Sequence, residues 1–136
     1  MKRYFVLLLL VISSISVKAQ PSTQPGEADL VKQGNNYFYG VNGVTKDLQR
    51  AFALYLQSAQ SGNAEGMNKV GVFYNEGIGV PINMEQAIYW LNKAGAKGFA
   101  KAYFNLGTIY KDNKGAEQDF TKAFYYYSKG AAGNDL

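Results

Sequence analysis

The sequence predicts an all-α solenoid of three stacked helical hairpins, and three observations carry the prediction. A pattern of small and aromatic residues returns about every 36 positions, a period at which each unit is a helix pair unable to bury its own apolar face. Within each unit the apolar residues recur at helical spacing. Capping residues, glycines and a proline fall where successive helices should stop. Gly71 recurs as Gly107, Tyr74 as Tyr110, Gly79 as Gly115, Ala87 as Ala123 and Lys93 as Lys129. A looser first copy supplies Gly34, Tyr37, Gly43, Val44, Asp47, Ala51 and Gly62. Stacked copies bury what one copy exposes, and about three are needed for stability.

The first segment stands outside the solenoid. Lys2 and Arg3 precede an apolar run from Phe5 to Ile12, and Ser13 to Val17 then leads through Lys18 to Ala19. A basic start, a short apolar stretch and small residues before the cut make residues 1–19 a signal peptide. The competing reading, an uncleaved anchor, requires about 18–20 apolar residues, and this run is much shorter. No cysteine follows, which excludes a lipid-anchored lipoprotein. The expected product is exported, periplasmic or secreted, with no membrane span after cleavage. Residues 20–26 are polar and twice broken by proline, a flexible linker. The solenoid then occupies residues 27–135, with repeats of about 27–63, 64–99 and 100–135.

Removing the signal peptide changes the charge argument. It holds three of the fourteen basic residues, leaving eleven against ten acidic ones. A nearly neutral mature chain has no electrostatic case for nucleic acid or acidic membranes. With no cysteine there are no disulfide staples, so stability has to come from the stacked apolar faces.

In the first repeat the leading helix is weak, because Gln33 stands where Val70 and Leu106 appear later. Asp47 caps the second helix, striped by Leu48, Ala51, Phe52, Tyr55 and Ala59. The second repeat is the clearest. Asn63 caps a helix whose face is Met67, Val70, Gly71 and Tyr74, ending near Glu76 at Gly77-Ile78-Gly79. Asn83 caps the next helix, with Gln86 at capping-box spacing and a stripe of Met84, Ala87, Ile88, Leu91 and Ala94; Gly98 closes it. In the third repeat Tyr103, Leu106, Gly107 and Tyr110 form the first helix. Asp119 caps the second, striped by Phe120, Ala123, Phe124 and Tyr127. The small residues Gly71, Gly107, Ala87 and Ala123 should let partner helices approach, with Tyr74 and Tyr110 filling the volume beyond. Tyr125, Tyr126 and Tyr127 cannot share one face, since successive helical residues turn by about 100°. Tyr127 belongs to the stripe, so Tyr125 and Tyr126 should meet a neighbouring helix or solvent.

The run from Ala64 to Pro81, followed by Glu85 to Ala94, resembles a Sel-one-like repeat (SLR), a tetratricopeptide-type (TPR-like) hairpin with the hallmark A-x(3)-LG-x(2)-Y-x(2)-G-x-GV…A…W-x(2)-KA. The resemblance covers about 27 to 135. Departures are Asn113 and Ala116 for the loop Gly and Val, Gly95 and Gly130 in the alanine pair, and one extra residue between Gly40 and Gly43. The resemblance implies a right-handed α-α superhelix that serves as a platform for other proteins. It also implies that first helices line a concave face. Carried onto this chain, that face offers Asn35, Phe38 and Tyr39 in the first repeat. The second offers Asn68, Val72, Asn75 and Glu76, and the third Lys101, Phe104, Thr108 and Lys111. Of these, Asn35, Tyr39, Asn68, Asn75, Lys101, Phe104, Thr108 and Lys111 are the candidate ligand-contact residues. Side-chain amides can hydrogen-bond a peptide backbone without reading its sequence.

Catalysis finds little support. Without His or Cys neither a Ser-His-Asp nor a Cys-His arrangement can exist, and the usual zinc ligands are missing. Some exported SLR relatives bind penicillin-like compounds, but no Ser-x-x-Lys is present. Gly77-Ile78-Gly79 lacks the third glycine, strand and lysine of a phosphate loop. The one close carboxylate group, Asp112, Glu117 and Asp119, reads as a helix cap and solvated loop residues. No catalytic residue, metal or cofactor is assigned. The expected function is a non-catalytic exported adaptor that binds a protein or extended peptide. The alternative is a carbohydrate or peptidoglycan-fragment binder using Tyr39, Phe104 and the asparagines as a stacking platform. No polar capping helix follows the third hairpin, so Phe124, Tyr127 and Ala131 are expected to form an end face open to a partner or a second copy.

Overall fold

The computed structural model describes residues 26–112 and 118–133, apart from the side chains of Glu27 and Ala28. The signal peptide, the linker before Gly26, the loop residues Asn113, Gly115, Ala116 and Glu117, and the terminal Asn134 to Leu136 lie outside the described residues. Six helices follow one another: α1 (Glu27–Tyr39), α2 (Leu48–Gln60), α3 (Ala64–Glu76), α4 (Met84–Ala96), α5 (Ala100–Asp112) and α6 (Phe120–Gly133). Among the described residues there is no strand, and no helix is long and apolar enough to cross a membrane. Each helix packs on the next, and α3 also touches α5 directly, which sets first helices side by side.

The caps explain where helices begin. Asp47, Asn63 and Asn83 accept from the backbone N–H of Arg50, Gly66 and Gln86 at 2.9, 2.8 and 3.0 Å. Asp119 accepts from the Lys122 N–H at 2.9 Å. That backbone donor, with the Lys122 charge behind it, holds the Asp119 carboxyl below its usual range. The capping box expected at Asn83 is only half formed. The Asn83 N–H, which a reciprocal Gln86 side chain would satisfy, donates to the Tyr74 carbonyl at 2.9 Å.

The same bond closes every hairpin. Asp47 N–H donates to the Tyr37 carbonyl at 2.8 Å and Asp119 N–H to the Tyr110 carbonyl at 2.9 Å. The first loop is one residue longer and keeps this closure, with Asn42 at φ 56° and Gly43 at φ 82°. Helix α3 stops because Gly77 takes φ 69°, a left-handed angle that costs glycine nothing.

Close helix approach depends on missing side chains. A Cβ on Gly71 would lie 2.6 Å from Leu91 Cγ, one on Gly34 would lie 2.5 Å from the Tyr55 ring, and one on Gly107 would lie 2.7 Å from Tyr127. These three contacts are one repeat position seen three times. The core runs continuously through Val31, Ala51, Tyr55, Met67, Val70, Phe73, Ala87, Leu91, Ala94, Ala102, Leu106 and Ile109. Trp90, which lies outside the expected stripe of α4, is also buried.

Aromatic rings join the repeats. Tyr74 meets Phe52 edge to face at 5.2 Å, linking the second hairpin to the first. Tyr110 stacks on Tyr126 within the third, centroids 5.5 Å apart. Of the tyrosine triplet, Tyr126 turns toward Tyr103 and donates to Asn92 Oδ1 at 3.3 Å, Tyr127 packs on Gly107, and Tyr125 remains exposed. In α1, Gln33 is half-buried and donates to Asp29, so the weak position is satisfied within its own helix.

An alanine on an open helix face stabilises by about 1 kcal/mol relative to glycine. At Gly71 the steric conflict with Leu91 should reverse that sign. Gly71→Ala is expected to lower the melting temperature by several degrees, for an overpacking cost of about 1–3 kcal/mol. A thermal melt followed by circular dichroism checks this; a rise would show that the approach at Gly71 is not tight.

Candidate functional site

The face lined by α1, α3 and α5 carries two pockets, each in the groove between successive first helices and floored by a residue from a second helix. The first, about 140 Å³, is lined by Phe38, Tyr39, Tyr55, Lys69, Val72, Phe73 and Ile78. The second, about 90 Å³, is lined by Val72, Asn75, Glu76, Leu91, Asn105 and Thr108. Val72 is the wall between them.

The two differ in chemistry. The first is aromatic: Phe38 tilts against Phe73 at 5.8 Å, Tyr55 meets Phe73 edge to face at 5.2 Å, and Tyr39 stands 63% exposed at the rim. Its one charge is Lys69, whose ammonium lies 5.7 Å from the centre of the Tyr55 ring. Burial pushes the Tyr55 phenol well above the usual tyrosine range, so its O–H stays protonated and donates to Asn35 Oδ1 at 2.7 Å. The second pocket is rich in acceptors. Asn75 Nδ2 donates to the Glu76 carboxylate. Asn75 Oδ1 is buried and has no hydrogen-bond partner among the described residues.

The eight expected contact residues divide accordingly. Tyr39 lines the first pocket, and Asn75 and Thr108 line the second. Asn35 lies beside them but is occupied by Tyr55. Lys101 is exposed outside both pockets, and Lys111, also exposed, pairs with Asp112 at 3.3 Å. Phe104 is packed into the hairpin, tilted on Tyr127 and covering Gly130, where a Cβ would lie 2.9 Å from its ring. Thr108 is exposed and engages both the Phe104 carbonyl and the Tyr127 hydroxyl at 3.1 Å. Asn68 departs from its expected solvent-facing place: it is only 4% exposed, and its Oδ1 accepts from Asn105 Nδ2 at 2.8 Å. It joins α3 to α5 from the inside. Sequence reasoning missed Tyr55, Lys69, Phe73, Ile78, Leu91 and Asn105 as lining residues. The signal for four of them is the repeat itself, since Lys69 and Asn105 share one repeat position, as do Tyr55 and Leu91.

Removing a buried acceptor leaves its donor unpaired at a cost of about 1–3 kcal/mol. Asn68→Leu should therefore destabilise the protein by about that much. The loss should shrink in an Asn105→Ala background, where no donor is orphaned. Urea unfolding of the four proteins of this cycle measures the coupling; additive losses would show that the amide pair contributes nothing.

Comparison with known proteins agrees with this architecture. The Sel1 repeat matches at residues 34–63, 64–99 and 100–135. No curated protein matches the chain. Among solved structures, a Sel1 repeat protein from Oxalobacter formigenes superposes with a TM-score of 0.72 at 29% identity, covering 86% of this chain and 46% of that one. The protective antigen c5321 of uropathogenic Escherichia coli, which displays an SLR fold, superposes with a TM-score of 0.71 at 31% identity, covering 78% of this chain and 22% of its own. The chain thus spans less than half the length of either structure. With three matched repeats over most of its length, it belongs to the Sel1 repeat family.

Proposed function

We propose that the protein is a non-catalytic, exported interaction scaffold that binds a protein segment along the face of α1, α3 and α5. Sel1 repeat proteins are generally scaffolds for protein interaction. The observation that carries the finer reading is the pair of adjoining pockets on that face, with an aromatic surface on one side of Val72 and an unpartnered buried acceptor on the other. Large rigid rings supply contact area at low entropic cost, and an orphan acceptor gains most from an incoming N–H. Export rests on the signal-like residues 1–19, which lie outside the described residues. A glycan platform is less well supported, because Phe104 is packed into its hairpin and leaves Tyr39 as the one open ring of the expected pair.

Helix α6 supports a second contact. Phe120 and Phe124 are 65% and 74% exposed and one turn apart, with Ala131 exposed farther along, whereas Tyr127 is turned into its hairpin. We read this face as the one through which copies self-associate. Sedimentation should then show a concentration-dependent dimer that Phe124→Ser abolishes; identical monomers in both would reject it.

The central experiment is capture from envelope and secreted fractions with the purified protein. It is run beside Val72→Arg, which obstructs both pockets, and Tyr89→Ala, which alters an exposed ring on α4. Val72→Arg should reduce capture by about 10-fold with an unchanged helical spectrum, and Tyr89→Ala should leave it intact. Capture that survives Val72→Arg would overturn the reading.

A further inference from the structure

The first pocket offers an incoming group both apolar walls and positive charge. Tyr55 and Phe73 close its base and are almost fully buried, at 1% and 3% exposed. Its reachable walls are Phe38, Val72 and Ile78, each half-buried, with Tyr39 at the rim. The pocket holds about 140 Å³, close to the roughly 150 Å³ in which an apolar cavity takes up benzene. One side-chain ring fits it.

Two ammonium groups border this space. Lys69, half-buried on α3, stands 5.7 Å from the centre of the Tyr55 ring. Lys46, exposed in the loop before α2, stands 5.9 Å from the centre of the Phe38 ring. The ion pairs among the described residues are Lys111 with Asp112 and Lys122 with Asp119, and neither Lys46 nor Lys69 takes part in one. Glu65, one turn before Lys69 on α3, is exposed; its charge reaches the Tyr55 phenol without forming an ion pair with Lys69. A ring face attracts an ammonium but leaves its N–H donors free, whereas a carboxylate takes up both charge and donors. The repeat supplies an internal comparison. One repeat on, Lys46 becomes Ile82, Lys69 becomes Asn105, Phe38 becomes Asn75 and Tyr39 becomes Glu76. The second pocket is lined by no ring and no cation, so rings and cations change together.

We propose, resting on the scaffold reading above, that the first pocket recognises an aromatic side chain of a bound protein segment with an acidic residue within two positions of it. The ring enters between Phe38, Val72 and Ile78, and the carboxylate meets Lys69, with Lys46 adding attraction. The short separation follows from Lys69 being itself a wall of the pocket. A carboxylate that reaches it has to be carried close to the ring, and two residues of chain span at most about 7 Å.

The test uses the full protein and fluorescein-labelled undecapeptides of glycine and serine, amidated at the C-terminus, with phenylalanine at the centre. A pair of aspartates flanks it at one, two or five positions, and binding is read by fluorescence anisotropy. The pair at one or at two positions should bind about 5-fold or more tighter than the pair at five. Replacing the aspartates by asparagine, or the phenylalanine by alanine, should cost about the same factor. Lys69→Met, which keeps the aliphatic stem, should weaken binding about 5-fold with an unchanged helical spectrum. Lys93→Met removes an equal charge from over the Tyr89 and Trp90 rings of α4 and should leave binding intact. Glu65→Gln removes a competing carboxylate and should tighten it about 2-fold. Should a variant fail to fold, the peptide substitutions decide alone. No binding, or binding indifferent to the aspartates, to their position or to Lys69, would overturn the proposal. So would tighter binding of a peptide without aspartate that ends in a free phenylalanine carboxylate. If the peptides fail while capture from envelope fractions still depends on Val72, only the aromatic and acidic motif is lost and the scaffold reading survives.

Discussion

Everything in this molecule depends on three positions where a side chain is missing. Gly34, Gly71 and Gly107 let each second helix come close enough that a tyrosine or leucine presses directly on the backbone of the first. That contact sets the hairpin angle, and the hairpin angle sets how the next pair stacks. The Tyr-carbonyl to cap N–H bond joins the ends of each hairpin, but the glycine determines how flat the pair lies and so how continuous the core can be. A protein without disulfides has little else to rely on, since a one-dimensional stack gains stability only from contacts within a repeat and with its nearest neighbours.

Much of the fold was legible because capping is local. Asn63 and Asn83 bond where a reading of the sequence would place them, and the caps at Asp47 and Asp119 do likewise. Helix identity, helix ends and the glycine approach all depend on residues a few positions apart or on the repeat. The orientation of polar residues was harder to read. Asn68 looks like a surface amide, because nothing nearby in sequence reveals that Asn105, 37 positions on, will bond to it. Trp90 was missed because the stripe drawn along α4 left out its position, although it is buried with the core. Asn83 showed the opposite error, since capping-box spacing was met while a tertiary partner, the Tyr74 carbonyl, took the N–H.

The binding face illustrates how a repeat protein acquires individuality. Its frame is set by residues that stay the same from repeat to repeat, and its chemistry by those that change. Aligning the chain with itself therefore separates the two roles without any relative to compare. Positions that recur, such as Ala51, Ala87 and Ala123, are buried wherever they occur. Positions that differ, such as Tyr39 against Glu76 or Lys69 against Asn105, line the pockets.

The cross-links between hairpins bear on how the solenoid responds to force. Tyr126 reaches from α6 back to Asn92 on α4, and Asn105 from α5 back to Asn68 on α3. The last hairpin is thus tied to the middle one by two polar clasps as well as by packing. The seam between the first hairpin and the middle one includes aromatic contacts, with Phe52 against Tyr74 and Phe38 against Phe73. Ring contacts slide over a range of geometries, whereas a hydrogen bond breaks within a fraction of an ångström. Under tension the polar clasps of the second seam should fail sharply, whereas ring contacts should yield gradually.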